Sequence, residues 1–238
     1  MAAGTGNSAP IPERGADVAE LVVGILGGTG PQGKGLAYRL AVAGQQVLVG
    51  SRISGRAEAT ATELNALRDG AGSEISGADN GTVAAKSDLV IVAVPWGGHD
   101  ALLESLRDQL AGKVVVDCVN PLGFDKQGAY AIAVPEGSAA QQAAALLPQS
   151  QVTAAFHHVS AVLLMDPAVA TVDTDVLVLG DDRATTDLVA ALAGRIPGIR
   201  GIYAGRLRNA HQVEALTANL ISINRRYTAH AGIRVTDV

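Results

Sequence analysis

Cysteine is nearly missing from this chain of 238 residues. Cys118 stands alone, so no disulfide framework and no zinc-ligand spacing can be assembled; a reducing cytoplasm is the expected setting. Aromatic residues are scarce as well, at 3%. The core must therefore come from Ala, Val, Leu and Ile, a composition that favours a parallel sheet covered by helices. No run reaches the roughly 18 apolar residues that a membrane helix needs. Residues 1–20 carry Gly, Ser, Pro and charges instead of an apolar h-region, so they read as a disordered extension and not as a signal peptide. Positive charge is in deficit: the net charge of −5 argues against a nucleic-acid surface. No internal repeat and no low-complexity tract is found.

What is present is organised around residues 22–56. An apolar strand over 22–26 runs into a turn in which Gly28, Gly30 and Gly33 fit G-x-G-x-x-G. A helix follows over about 30–43, then a second apolar strand over 47–49 that ends in Gly50-Ser51-Arg52. This is the strand–turn–helix–strand context that a dinucleotide fingerprint requires. The glycines permit a tight turn and the approach of a pyrophosphate, and the helix start offers unpaired N–H groups to the anion. Where NAD-binding chains keep an Asp or Glu at the end of the second strand, this one has Ser51 and Arg52, with Arg56 close behind. A carboxylate would repel a ribose 2′-phosphate, whereas a guanidinium can bind it through two hydrogen bonds. The expected nucleotide is NADP. The competing reading makes Arg52 and Arg56 solvated charges that open a surface helix.

Strands and helices continue to alternate. Ser54 is expected to cap a helix to about Leu67; a short strand lies near Ile75, and Asp79 or Asn80 starts a helix through Lys86. Residues 88–94 and 114–117 read as buried strands, with a helix over 99–110 between them. Residues 124–137 look like a loop, and Ser138 is expected to cap a helix to Leu147. Residues 152–156 form a sixth strand ending at His157-His158, 175–180 another, and 181–194 a helix. A short strand over 199–203 precedes the longest helical pattern, 208–230. The fold class is α/β, a Rossmann-type doubly wound parallel sheet with a smaller C-terminal α/β part. In such sheets ligands bind beyond the carboxyl ends of the strands, which puts residues 28–33, Val94 to Gly98 (with Trp96) and Asn120 to Gly123 (with Pro121) around one crevice. Trp96 reads either as a partly buried anchor or as a wall of the nucleotide site. Adjacent residues on a strand point to opposite faces, so His157 and His158 are not expected to share a metal ion.

Several stretches together resemble the F420-dependent NADP oxidoreductases: 26–30 (Leu-Gly-Gly-Thr-Gly), 34–37, 49–52, 94–96, 207–209 and 213–217. The resemblance spans about 21–235. It implies an NADP-binding Rossmann domain over 21–155 and a smaller domain over 156–238 that carries the deazaflavin site and the face of a homodimer. It implies reversible hydride transfer between NADPH and coenzyme F420, a deazaflavin, with no membrane or nucleic-acid partner. By motif, Thr29, Gly30, Pro31 and Gln32 would hold the pyrophosphate. Ser51, Arg52 and Arg56 would hold the 2′-phosphate, and Trp96 and Ala161 would line the NADP site. Asn120, Pro121, His157 and Val159 would lie near the two rings. The segment His157-His158-Val159-Ser160-Ala161 departs from the family's usual His-Thr-Ile-Pro-Ala. Direct ring-to-ring transfer needs no side-chain nucleophile, and no catalytic residue is expected beyond His157 as a positioning or proton-donating group. Arg225 and Arg226 either meet an acidic tail of the deazaflavin or form a solvated face. Two other readings stand beside this one. The first is an NADP-dependent reductase of another acceptor, such as an imine, ketone, flavin or ferric chelate. The second is a non-enzymatic NADP redox sensor.

Overall fold

The computed structural model describes residues 17–238. Its elements, in chain order, begin with β1 (Val22–Leu26), α1 (Pro31–Val42), β2 (Gln46–Ser51), α2 (Ser54–Leu67), β3 (Ile75–Asp79), α3 (Asn80–Lys86) and β4 (Leu89–Val92). Then come α4 (His99–Ser105), α5 (Arg107–Leu110), β5 (Val114–Asp117), β6 (Leu122–Asp125), β7 (Gly128–Ala131), α6 (Ala139–Leu146) and β8 (Gln151–Ala154). The chain ends with α7 (Ala161–Met165), β9 (Thr174–Gly180), α8 (Arg183–Ala193), β10 (Ile199–Gly205) and α9 (Ala210–Tyr227).

Eight strands form one sheet in the order β10-β9-β8-β5-β4-β1-β2-β3. From β3 to β8 every pairing is parallel, and the order reverses between β1 and β4, the switch point of a doubly wound sheet. The expectation of a parallel sheet is corrected at one edge, where β9 pairs antiparallel with β8 and β10 runs parallel to β9. The sheet thus continues across residues 155 and 156. Strands β4 and β5 are buried over their whole length, because helices cover both faces. Leu36 and Leu40 of α1, Leu64 of α2 and Leu192 of α8 fill one side. Val83 of α3, Leu103 of α4 and Ala143 of α6 fill the other. Among the described residues no helix is long and apolar enough to cross a membrane.

Several local expectations need correction. Residues 17–20, expected within a disordered extension, form a 3-10 turn, Val18–Glu20, capped by the Asp17 carboxylate, with Val18 against the core. Residues 1–16 of that extension lie outside the described residues. Ser54 is the first residue of α2 and not its cap, a place held by extended Ile53. The helix expected over 99–110 breaks at Leu106 into α4 and α5. The expected loop over 124–137 contains a hairpin instead, β6 and β7. Its turn is closed by the Asp125 carboxylate, which accepts the N–H groups of Gln127 and Gly128; Gly128 has φ +126°. Four-residue strands carry too little alternation to be read from sequence.

Candidate functional site

The turn after β1 is built from glycines that do different work. Gly27 has φ +71°, open to glycine at no steric cost. A Cβ on Gly33 would lie 2.6 Å from Gly28 Cα, so the glycine at 33 lets α1 pack directly on the turn. A Cβ on Gly30 would meet nothing in the chain nearer than 3.5 Å. The glycine there answers to no protein neighbour, and it opens the backbone toward the cavity it lines. Gly30 is also the N-cap of α1 and supplies no side-chain cap. The N–H groups of the first helical turn are therefore left to an external acceptor. The N–H of Gly28, by contrast, is committed to Gly50 O at 3.0 Å.

That last bond sets the end of β2 beside the turn. Ser51 is buried there, and Arg52 and Arg56 are exposed. Among the described residues neither arginine side chain has a hydrogen-bond or ion-pair partner. The nearest carboxylate in register is Asp79, opposite Ser51 in the sheet. It is turned away to cap α3 and to accept from the hydroxyl of Thr82. Two unpaired cations and no free acid fit a 2′-phosphorylated ribose.

From the turn a cavity of about 650 Å³ runs along the carboxyl ends of β1, β4, β5 and β8. Gly30, Pro31 and Gln32 line one end, Val94 and Trp96 the next stretch, and Asn120, His157, Val159 and Ala161 the other. Gly28, Thr29, Gly33, Ser51, Arg52, Arg56 and Pro121 do not line it. The two arginines follow β2, whose Gly50 O accepts the Gly28 N–H of the turn, and Pro121 O is bonded to the Ile132 N–H just after the hairpin. The structure adds wall residues that the sequence reading did not name, some of them on the long C-terminal helix that it offered as either a site wall or a dimer face. Thr217, Leu220 and Asn224 of α9, Phe124 of the hairpin, and His230 beyond α9 all face the cavity. The helical face of α9 was legible; its orientation toward β5 and β8 was not.

The floor is held by a polar network. Thr217 Oγ1 donates to His157 O at 3.2 Å, and Asn120 Nδ2 donates to the same oxygen at 2.9 Å. Phe156, fully buried, has φ +65°, a left-handed conformation that costs a bulky residue about 1–3 kcal/mol. Immediately after it, His157 is buried with neither ring nitrogen partnered among the described residues. Burial pulls its pKa down to about 4, with Asp117 opposing only in part. The neutral imidazole is therefore favoured near pH 7, with one N–H and one unprotonated ring nitrogen, which suits positioning better than proton donation.

Behind the floor lies a buried cluster. His99 Nε2 meets Asp117 Oδ2 at 2.5 Å, and its Nδ1 meets Gln142 Oε1 at 3.1 Å. Both ring nitrogens face acceptors, which favours the imidazolium. Burial alone would lower the His99 pKa, but Asp117 and the hydrogen bonds outweigh it and the net shift is upward. Glu214 of α9 accepts the N–H groups of Ala139 and Ala140 at the start of α6. Burial nevertheless raises its pKa to about 7.

These shifts make opposite contributions to stability. Glu214 is raised above its unfolded value, so its contribution is present below about pH 4.5 and is lost as pH rises to about 7. His157 is lowered, so its contribution is present above about pH 6.5 and is lost as pH falls to about 4. Each shift corresponds to about 3 kcal/mol. Urea unfolding of Glu214→Gln relative to the unsubstituted protein should therefore become less unfavourable from pH 4.5 to 7, and His157→Phe less unfavourable from pH 6.5 to 4. A difference between variant and parent that stays constant over those windows would refute the assignment.

The family model described as NADP oxidoreductase coenzyme F420-dependent matches residues 22–121. The F420-dependent NADP reductase of Methanothermobacter thermautotrophicus is 38% identical over 221 residues, covering 91% of this chain and 95% of that protein. That of Methanocaldococcus jannaschii is 34% identical over 221 residues, covering 91% and 98%. A solved structure from Arthrobacter sp. FB24, described as a candidate F420-dependent NADP-reductase, gives a TM-score of 0.77 at 26% identity and covers 91% of this chain and 99% of its own. A pyrroline carboxylate reductase from Plasmodium falciparum, at 10% identity, TM-score 0.54 and coverage of 88% and 65%, shares the fold alone.

Proposed function

Because the chain belongs to the coenzyme F420-dependent NADP oxidoreductase family, we propose that it carries a hydride reversibly between NADPH and coenzyme F420 in the cavity at the strand ends. The observation that carries this reading is the continuity of that one cavity. It leads from the uncapped start of α1, past Trp96, to the unpartnered imidazole of His157. When both are bound, the dihydronicotinamide gives a hydride to the deazaflavin ring, and the balancing proton comes from water.

The chain's own residues bind, orient and exclude. Thr29, Gly30, Pro31 and Gln32 hold the pyrophosphate at the start of α1, chiefly through backbone N–H groups. Ser51, Arg52 and Arg56 hold the 2′-phosphate. Val94, Trp96 and Ala161 flank the nicotinamide end, while Asn120, Val159 and His157 flank the acceptor ring. Their task is to keep the two rings at about 3–3.5 Å, the distance at which positioning replaces a nucleophile. Neutral His157 offers one N–H donor and one bare nitrogen to a polar ring edge. In this reading residues 21–155 supply most of the nucleotide contacts, and both they and residues 156–238 contribute to the ring end.

A homodimer in a cytoplasmic setting completes the proposal. The exposed side chains of Phe124, Tyr130, Ile223 and Tyr227 supply apolar surface for a second copy, and sedimentation of the purified chain reports it. For the activity, the protein is mixed with NADPH and oxidised F420 while the deazaflavin absorbance is followed. Bleaching at a rate proportional to protein is expected. Tight NADPH binding with no bleaching would overturn the reading in favour of another acceptor or a sensor.

A further inference from the structure

The two ends of the cavity are tied to each other by one side chain. Gln32 is the second residue of α1, in the turn whose N–H groups face outward. Its backbone belongs to the nucleotide end, yet its side chain reaches across the sheet: Nε2 donates to Phe156 O at 3.2 Å. Phe156 is the bulky, fully buried residue held at φ +65°. A conformation of that kind persists only where its surroundings over-determine it.

The restraints can be named. The Phe156 ring is locked in the core. The next carbonyl, His157 O, is held by Asn120 and Thr217 from the acceptor side. Phe156 O is held from the nucleotide side, by Gln32. An anion bound at the start of α1 fixes the backbone of Gln32, and a fixed Gln32 fixes the carbonyl that turns His157 and Val159 toward the acceptor. The same amide works in reverse, since coupling between two sites is reciprocal.

We infer that the Gln32 side chain is a positioning residue that couples the two sites, so that a bound nucleotide tightens acceptor binding and a bound acceptor tightens the nucleotide by the same factor. This assigns Gln32 a role in the acceptor wall in addition to its backbone's place at the pyrophosphate. The inference rests on the proposed NADPH–F420 reading.

The test uses two oxidised partners, NADP and F420, so that nothing turns over. Affinity for oxidised F420 is measured by fluorescence titration with and without saturating NADP. In the unsubstituted protein NADP should tighten F420 by about fivefold or more, the lower range of allosteric coupling. In Gln32→Met, which keeps the length and loses the donor, the factor should fall below about twofold; because F420 affinity is compared with and without saturating NADP, a change in the affinity for NADP alone does not enter the factor. Gln32→Asn, a donor one methylene short, should fall between the two and serves if the Met variant does not fold. A full coupling factor in both variants would overturn the inference, as would F420 binding that is indifferent to NADP in the unsubstituted protein. Failure of F420 to bind in either state, with NADP bound normally, would overturn the functional reading itself.

Discussion

Replacing Arg39 by Met should lower the unfolding free energy by about 4 kcal/mol and the Tm by about 8–16 °C. Arg39 lies in the last turn of α1 and is 6% exposed. Its guanidinium has no carboxylate partner in hydrogen-bond contact. It donates instead to four backbone carbonyls, those of Leu163, Leu164, Asp166 and Val169, at 2.7–2.8 Å. Three of these belong to the end of α7 and the residue after it, where a helix leaves carbonyls without intrahelical partners. An orphaned buried acceptor costs about 1–3 kcal/mol, and water reaching some of the four keeps the sum below the maximum. Gly35 explains why no other group substitutes: a Cβ there would lie 2.6 Å from Leu164 Cβ, so α1 and α7 sit backbone to backbone. Arg39→Lys should recover part of the loss, because an ammonium has three donors in place of a planar fork. Since the start of α7 carries Ser160 and Ala161 to the cavity, the Met variant should also raise the KM for the acceptor more than that for NADPH. Urea unfolding decides the matter: a loss under 1 kcal/mol would show that the guanidinium is not what joins the two helices.

Arg52→Asp should raise the KM for NADPH by about a hundredfold, which corresponds to about 3 kcal/mol, and change that for NADH by no more than a few fold. The substitution removes a cation whose side chain has no competing partner among the described residues and puts in its place the acid that NAD-binding chains use at this strand end. The 2′-phosphate is the one group by which the two nucleotides differ, so the ratio of the two effects isolates it. Arg56→Ala should act in the same direction and less strongly, because Arg52 follows β2 directly whereas Arg56 lies within the first turn of α2. Steady-state kinetics with both nucleotides gives the ratio. Equal losses for NADPH and NADH would place the phosphate elsewhere.

The sequence was informative wherever a residue's role depends on its near neighbours. Glycine spacing between two apolar runs gave the turn, the helix and the nucleotide end. The Asp79, Ser138 and Asp182 caps lie where short polar residues precede helical patterns, and each accepts an N–H from the first turn of its helix. The reversal of β9 and β10 was not legible, because an apolar strand has the same pattern in either direction. Nor was the neutral state of His157: adjacent His157 and His158 look alike in sequence, yet one has bare ring nitrogens and the other gives its Nε2 to Asp175 O at 2.7 Å.

Local chemistry alone therefore determined the α/β class, the Rossmann turn and the preference for a phosphorylated nucleotide, since all three follow from residues within about thirty positions of one another. Tertiary structure alone decided which groups meet across the sheet. Arg39 with the end of α7, Gln32 with Phe156, Glu214 with the start of α6, and Thr217 with His157 are pairs separated by 60 to 130 residues. Such pairs form because burial leaves their polar atoms no water to turn to, and only the packed chain determines which partner each one finds.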